Sequence, residues 1–172
     1  MAERLTTSDV ACWVLKSRTA PQDIIAGWTP GRARSLTRCL RRSYRLGLMR
    51  PGQPCLLWLS GAQEPGVRAI GTLTGEPEVP EHADPSRPEL AVTVSLYLLT
   101  EPVARSALLA DPIFASAEVL RMPAGSNPSF LSHERWSILQ EHLSPQDAAA
   151  VLAVSEGGLE PPFPVKGTST SS

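Results

Sequence analysis

"ACWVLKS" at residues 11–17 is an apolar and aromatic run that ends in a lysine and a serine. Its length and composition predict a β-strand. Four more strands are predicted farther along the chain, at residues 54–60, 67–75, 89–99 and 116–122. The chain contains 17 prolines, which imply many breaks between short elements. The sequence therefore favours strands and short helices over a helical bundle.

Four helices are predicted between or after these strands. Residues 33–46 follow a helical period. A short helix is expected after Thr100, and Ser132 and Ser144 are placed to cap the last two helices. Strands that follow one another through short loops, with helices interspersed, favour a mixed or antiparallel sheet. The predicted fold is therefore α+β, with a barrel-like sheet and short flanking helices.

The length of 172 residues fits one domain with a genuine core. Residues 1–9 are interpreted as an N-terminal extension and residues 10–155 as the domain. Within it, residues 76–88 are rich in proline and acidic side chains and predict a mobile loop between strands. Residues 156–172 are expected to be a disordered tail.

The sequence argues against several classes of protein. It has no run of about 18 apolar residues and no apolar core of a signal peptide near its start, so a cytoplasmic protein without a membrane partner is expected. Cys12, Cys39 and Cys55 are odd in number and widely spaced, which predicts reduced core thiols, no metal site and no cofactor. The common nucleotide, hydrolase and metalloprotease motifs are missing, which argues against an enzyme.

The charge of the chain is unevenly distributed. The formal net charge is −1, but residues 1–50 hold ten basic and three acidic residues, a balance of +7, so the remainder carries −8. This polarity is compatible with an anion-binding face. It is equally compatible with an ordinary solubility pattern.

In the predicted helix at 33–46, arginines form a stripe. At about 100° per residue they fall within an arc of roughly 100°. The stripe consists of Arg34, Arg38, Arg41, Arg42 and Arg45, and the opposite, buried side of Leu36, Cys39, Leu40 and Tyr44. The stripe is either a phosphate-binding surface or the solvated outer face of an ordinary helix.

The four tryptophans differ in their surroundings. Trp13 and Trp58 lie in apolar strands and Trp136 lies in a helix, positions that favour core packing. Trp28 lies in a connection rich in proline and glycine, where an exposed side chain is expected. Stacking of an extruded base, worth about 1–3 kcal/mol, and anchoring of the loop are both compatible with Trp28.

The order of these motifs resembles the EVE domain, a PUA-like domain related to YTH domains. EVE sequences begin with "W-L-x-K-S-E-P", to which "CWVLKSRTAP" (12–21) corresponds. Three later segments follow in the same order: "LMRPGQPCLLWLSG" (48–61), "GVRAIGTLTGEPEVPE" (66–81) and "AGSNPSFLSHERWSIL" (124–139). The resemblance covers roughly residues 10–143. It implies a PUA-like β-barrel, no catalytic machinery, and an aromatic pocket that accepts a modified base.

The resemblance also implies roles for single residues. Carried over by position, Lys16, Ser17, Trp58, Ser126 and Asn127 would belong to the base pocket, and Arg38 matches the arginine of the family's helix motif. The loop setting of Trp28 adds it to the predicted base pocket, and the arginine stripe adds Arg41, Arg42 and Arg45 to Arg38 as predicted phosphate contacts. This sequence departs from the family at Arg18, where EVE domains have an acid, and at Leu59, where they have a histidine. The Trp-Asp-Gly that precedes the family's arginine is also missing, so the identity of the base is left open.

The leading hypothesis is therefore a non-enzymatic reader of a modified, flipped base in DNA or RNA, as a monomer or weak homodimer. The alternative is a protein–protein interaction domain whose basic helix docks an acidic partner or a second copy. A third class, an enzyme that acts on a small anion, has Cys39 as its only obvious nucleophile in the arginine helix, and the helical angle places that thiol on the buried side.

Overall fold

The computed structural model describes residues 4–61, 63–81, 86 and 89–157. The strands are β1 (Cys12–Ser17), β2 (Ala33–Leu40), β3 (Pro54–Leu59), β4 (Gly66–Leu73), β5 (Leu90–Ala104) and β6 (Ser129–Leu131). The α-helices are α1 (Pro21–Ile24), α2 (Arg105–Leu109), α3 (Glu118–Arg121), α4 (His133–Glu141) and α5 (Pro145–Gly157). Short 3-10 helices span Thr7–Asp9, Tyr44–Leu48 and Phe114–Ser116.

The six strands form one sheet in the order β2-β5-β4-β3-β1-β6. β1 and β3 pair in parallel, and the other neighbours pair antiparallel. The parallel pair arises because the chain leaves β1, forms α1 and β2, and returns to lie beside β1 as β3. The mixed sheet and the α+β class are as predicted.

The two outer strands, β2 and β6, meet at one end and curl the sheet into a barrel. The backbone N–H of Arg41, directly after β2, donates to the carbonyl of Asn127, just before β6, at 3.1 Å. Phe130 of β6 packs against the same hydrophobic cluster that contains Leu36 and Leu40 of β2. These contacts close the sheet and hold the segment before β6 in place.

Alternation along the strands builds two hydrophobic layers. One fills the barrel interior, with Trp13 and Leu15 of β1 and Val94 of β5 among its members. The other lies between the outer face of the sheet and the helices and includes Cys12 and Val14. Successive side chains of a strand point to opposite faces, so β1 contributes to both layers and is buried on both sides.

The predicted helix over residues 33–46 is wrong. Ala33–Leu40 form β2, which pairs with β5 along its whole length, and Tyr44–Leu48 form a 3-10 helix after it. Leu36 and Leu40 are the buried residues of β2. A spacing of four residues puts them on one face of a helix and equally on one face of a strand. Pairing with a long neighbouring strand decides between the two.

The end of β5 is also different from the prediction. β5 runs through Thr100, which was expected to cap a helix, and α2 begins only at Arg105. The Thr100 hydroxyl donates to the buried carboxylate of Asp147 at 2.9 Å instead of capping a helix. The predicted strand at 116–122 is wrong as well, because this segment ends one 3-10 helix and forms α3.

Near the C-terminal end of the domain, one prediction failed and two are confirmed. β6 is not among the predicted strands, since three residues are too few to show alternation, but it pairs with β1. The side chain of Ser132 caps α4 by accepting from Arg135 N at 3.4 Å. The Ser144 hydroxyl caps α5 by accepting from Asp147 N at 3.2 Å.

Some of the predicted organisation lies outside the described residues. In the predicted acidic loop at 76–88, Glu78 pairs with Ala91 through two backbone hydrogen bonds of 2.8 Å, while residues 82–85, 87 and 88 are outside the described part. The predicted tail overlaps α5 at residues 156 and 157 and is otherwise outside it.

Candidate functional cleft

A surface cleft of about 1130 Å³ opens where the parallel strands β1 and β3 end. Its walls come from residues 16–20, 59–61 and 123–127, with Asp23, Gln63, Glu64 and Arg68 completing the lining. Ser60 N donates to Ser17 O at 2.8 Å and holds the two strand ends together. Beyond that bond the chains diverge, and diverging chains at the carboxyl ends of parallel strands leave a crevice between them.

Lys16 and Asn127, both predicted for the base pocket, line the cleft but are bonded to the protein. Asn127 Oδ1 accepts from Lys16 N at 2.7 Å and Asn127 Nδ2 donates to Lys16 O at 3.0 Å. The Lys16 ammonium donates to the carbonyls of Met122 and Gly125, at 3.1 and 2.7 Å. Burial lowers the pKa of Lys16, against the opposing effect of nearby Glu118. Both residues therefore hold the 123–127 wall against β1.

Ser17 and Ser126, the other predicted pocket residues at the strand end and loop, also line the cleft. Ser17 is buried, and its hydroxyl accepts from Thr19 N at 3.0 Å and donates to Thr19 O at 2.9 Å, which fixes the turn after β1. Ser126 is exposed. Of the four predicted polar pocket residues, Ser126 is the one whose side chain lies open to the cleft.

Trp28 and Trp58 do not line the cleft, so the prediction that they sandwich a base is wrong. Trp28 is 1% exposed, lies in the barrel interior, and donates from Nε1 to Arg32 O at 2.9 Å. Trp58 is 4% exposed and packs between the sheet and the helices. The described lining of the cleft contains no aromatic side chain. A tryptophan in a loop can turn inward and fill the interior of a barrel. The residues around Trp28 in the sequence do not reveal that it does so.

The predicted arginine stripe is divided among three environments. Arg38 lies in β2, its buried Nε has no hydrogen-bond partner in residues 4–61, 63–81, 86 and 89–157, and burial lowers its pKa. Arg41 and Arg42 are exposed. The bond from Arg41 N to Asn127 O places this pair beside the wall of the cleft. The arginines do not share one helix face as predicted, because Arg34 and Arg38 lie in β2, Arg41 and Arg42 follow it, and Arg45 lies in a separate 3-10 helix.

Arg45 has a structural role rather than the predicted phosphate contact. Its guanidinium donates to both carboxylate oxygens of Glu118 at 2.7 Å and to Pro128 O at 3.1 Å, and it lies over the ring of Phe130. The hydrogen bonds from Arg45 hold the pKa of Glu118 below its usual value, although burial acts in the other direction. Glu118 also accepts from the Ser129 hydroxyl at 2.9 Å. This network supports β6 and the end of the cleft wall.

Arg68 lines the cleft and was missed by the sequence analysis. It lies in β4, where an arginine between Val67 and Ala69 carried no signal beyond that of a strand residue facing solvent. The structure places its side chain largely out of solvent, with a direct bond from a guanidinium nitrogen to Glu64 O at 3.0 Å. The register irregularity in β4 at this position could not be foreseen from the sequence.

The cysteines and the potential metal ligands give no second site. Cys12 and Cys55 are buried, as predicted, but Cys39 is exposed on β2, because the helical angle that had placed it inside does not apply to a strand. Within residues 4–61, 63–81, 86 and 89–157, no group of three or more histidine, cysteine or acidic side chains could hold a metal ion. In the same part of the chain, no helix is long and apolar enough to cross a membrane.

No protein-family model matches the sequence, and no curated protein matches it. Solved structures do match. A protein of Rhodopseudomonas palustris has 20% identity and a TM-score of 0.54, over 88% of this chain and 96% of that one. A hypothetical protein of Leishmania major has 17% identity and a TM-score of 0.60, over 78% and 95%.

The DUF55 domain of human thymocyte nuclear protein 1 matches with 16% identity and a TM-score of 0.50, over 74% of this chain and 95% of that chain. At such identities these matches show the fold alone. DUF55 is an EVE-type, PUA-like domain, so the chain has the EVE-type PUA-like fold that its motif order predicted.

Proposed function

We propose that this chain, with its EVE-type PUA-like fold, binds nucleic acid without catalysing a reaction and seats one unpaired nucleotide in the cleft beyond β1 and β3. The single observation that carries the proposal is the cleft itself, which brings Lys16, Ser17, Ser126 and Asn127 from distant parts of the chain to one place. These are four of the six residues predicted for the base pocket, and the other two, Trp28 and Trp58, do not line the cleft.

The size and polarity of the cleft suit a nucleotide. Its volume of about 1130 Å³ lies near the upper end of small-molecule pockets, so a base and its flanking phosphate fit together. Its described walls offer hydroxyl, amide and guanidinium groups instead of aromatic rings. Recognition would therefore rest on hydrogen bonds to the base edge, with little contribution from stacking between aromatic side chains.

Phosphate contacts are proposed for the exposed arginines around the cleft. Arg18 lies in its lining, and Arg41 and Arg42 lie behind the 123–127 wall. Exposed arginines gain from phosphate neutralisation through release of counterions, which does not depend on base sequence. The positively charged residues 1–50 thus attract the nucleic-acid strand that enters the cleft, while the acidic remainder of the chain repels it elsewhere.

The alternative proposal, a protein–protein contact through the basic segment, is favoured by one observation. Among the described strands β2 is the first of the sheet and pairs only with β5, and its contact with the β6 segment is limited to its end at Arg41. A second copy or an acidic partner would add to that edge. Sedimentation that stays monomeric across protein concentration and salt would contradict the self-association form of this alternative.

Fluorescence anisotropy with single-stranded oligonucleotides at low salt tests the proposed function. Oligonucleotides with cytosine and 5-methylcytosine form the first pair, because the human THYN1 protein is solved in complex with DNA that contains 5-methylcytosine. Binding to both is expected, with a preference for one. Equal affinity for the two oligonucleotides would contradict recognition of a modified base. A complete absence of binding to either would contradict the proposal as a whole.

Arginine variants distinguish phosphate contacts near the cleft from a general effect of positive surface charge on binding. Arg41→Ala combined with Arg42→Ala should weaken binding and reduce the salt slope by roughly 0.7 for each lost phosphate contact. Arg34→Ala is the matched control, because Arg34 is an exposed arginine of β2 that lies about seven residues, or roughly 23 Å, before Arg41. A control that weakens binding as much as the double variant would argue for a diffuse electrostatic surface.

A further inference from the structure

We infer that Arg68 is the group through which the cleft recognises its nucleotide, by donating from its guanidinium to an acceptor atom of the ligand. The inference rests on the proposed function and names the specificity-determining residue of the same cleft. Three observations carry it: the position of Arg68 at an irregularity of β4, the poor compensation of its charge, and a donor without a partner.

The strand places Arg68 out of register with both neighbours. On one side Val67 pairs with Trp58 and Ala69 with Leu57, and the register shifts between these two pairs. On the side of β5 the register also shifts between Val67 and Ala69. Bulges of this kind occur next to binding sites, where they redirect a side chain. Here the irregularity directs Arg68 to the cleft instead of leaving it in the regular alternation.

The charge of Arg68 is poorly compensated for its burial. Its side chain is only 17% exposed, whereas that of Glu64, its ion-pair partner, is 88% exposed, and the two are 3.5 Å apart. Such a long bond to a solvated carboxylate contributes little. The remaining bond is to the backbone carbonyl of Glu64. Buried charges are normally paired and hydrogen-bonded, so the guanidinium retains capacity for another acceptor.

One donor of Arg68 has no hydrogen-bond partner among the described residues. Nε of Arg68 is buried and makes no hydrogen bond within the described residues. A buried N–H without an acceptor lowers the stability of the fold, and this loss is recovered when an acceptor is supplied. The guanidinium lines an open cleft, so a modest turn of the side chain brings its fork to a ligand seated there. Guanidinium groups bind oxygen and ring-nitrogen acceptors in pairs.

The turn before β4 fixes the backbone at the start of the strand but leaves the Arg68 side chain free to move. Glu64 has a φ of 45°, unusual for a side chain with a Cβ. Gly66 is fixed, because a Cβ there would collide with the carbonyl oxygen of Val103. The backbone at the start of β4 is thus rigid, while the Glu64 carboxylate binds the Arg68 guanidinium only weakly, from the solvent side. A ligand acceptor competes with Glu64 for Arg68.

The acceptor has two sources in one nucleotide, the edge of the base or the flanking phosphate. An oligonucleotide with an abasic site at its centre keeps every phosphate and removes the base. Affinities for this probe and for the same oligonucleotide with an intact base are measured by anisotropy for the unaltered protein and for Arg68→Gln, Arg68→Lys and the control Arg34→Gln. Circular dichroism and thermal melting establish that each variant is folded.

If Arg68 contacts the base, Arg68→Gln loses roughly 5- to 150-fold on the intact oligonucleotide, the range of a bidentate arginine–base contact, and loses nothing on the abasic one. If Arg68 contacts a phosphate, both affinities fall together and the salt slope decreases by roughly 0.7, the contribution of one phosphate contact on a single strand. Arg68→Lys keeps the charge without the fork, so it restores phosphate binding better than base recognition. Arg34→Gln should bind both probes like the unaltered protein, apart from a small electrostatic loss.

A folded Arg68→Gln that binds both probes with unaltered affinity would overturn the inference and leave the proposed function standing. If the unaltered protein binds neither probe, both fall. Should Arg68→Gln fail to fold, Glu64→Gln decides. Removing the competing carboxylate is expected to tighten binding up to about fivefold, the strength of an exposed pair, and unchanged or weaker binding would overturn the inference.

Discussion

Asp147 and Arg68 both carry their charge away from solvent, yet their surroundings treat the two charges in opposite ways. The carboxylate of Asp147, in the first turn of α5, is fully buried. It accepts from the Tyr97 hydroxyl and the Thr100 hydroxyl at 2.9 Å and from the backbone N–H of Thr100 and Glu101 at 3.1 Å. Within the part of the chain that the structure describes, Arg68 has one weak ion pair, one bond to a carbonyl and one donor without a partner.

The difference separates a structural charge from a binding charge. A carboxylate with four donors is complete without a ligand and joins α5 to the long strand β5. A guanidinium with spare donors in an open cleft is incomplete until an acceptor arrives. The helix side of the barrel therefore stabilises the fold, whereas the carboxyl ends of β1 and β3 carry a charge that lowers stability and serves binding.

Asp147→Ala gives the largest expected effect. It leaves the buried donors of Tyr97, Thr100 and Glu101 without an acceptor, and the free energy of unfolding should fall by about 3–5 kcal/mol. Chemical denaturation followed by circular dichroism measures this. Glu141→Ala, which removes an exposed carboxylate on α4, is the control and should change stability by less than about 0.5 kcal/mol. A similar, small change in both variants would contradict the structural role of Asp147.

Arg45→Ala should have the next largest effect on stability, about 1–3 kcal/mol, because it leaves the partly buried Glu118 carboxylate without its two charged hydrogen bonds. Its effect on the salt slope of oligonucleotide binding should be no greater than that of Arg34→Ala. If Arg45→Ala reduced the salt dependence of oligonucleotide binding without lowering stability, Arg45 would be a phosphate contact instead of a structural residue.

The pH dependence of stability is expected to carry a smaller signature of Asp147. Burial acts to raise the pKa of this carboxyl, but the hydrogen bonds from Glu101, Thr100 and Tyr97 together outweigh it and hold the pKa below 3.8. A depressed folded-state pKa contributes stability that is present above the unfolded pKa and is lost as the pH falls through the folded one. The stability difference between the unaltered protein and Asp147→Asn should therefore shrink as the pH falls below about 4. A constant difference from pH 6 to pH 2 would contradict this.

Arg68→Met should have the smallest effect on stability, despite removing a side chain that is largely buried. Replacing an under-compensated charge with an apolar chain of similar length is expected to change the free energy of unfolding by less than about 1 kcal/mol, or to raise it. The same denaturation experiment measures it. A loss comparable to that of Asp147→Ala would mean that Arg68 is a structural charge, and the contrast between the two regions would disappear.

The sequence predicted what depends on local pattern. Short apolar runs identified β1 and β3, short polar residues before helical segments identified the caps of α4 and α5, and the order of motifs placed Lys16 and Asn127 at one site. These features are encoded within a few residues of each other, or in an order along the chain that the resemblance supplied.

The sequence could not predict what depends on distant partners. Leu36 and Leu40 fit a helix and a strand equally, and the long partner strand β5 decides between them. Trp28 is buried because the barrel interior offers it space and the Arg32 carbonyl. Arg68 becomes a cleft residue through an irregular register with two neighbouring strands. Each outcome is set by tertiary contacts that override the local pattern.

A titration of the isotope-labelled protein with a single-stranded oligonucleotide, followed by backbone amide chemical shifts, tests the central claim most directly. The largest changes are predicted at residues 16–20, 60–68 and 123–127, with smaller changes at Arg41 and Arg42, and essentially none in α5 around Asp147. Changes confined to the outer edge of β2 or to the helices, or the absence of any change at saturating oligonucleotide, would contradict the claim that the cleft binds nucleic acid.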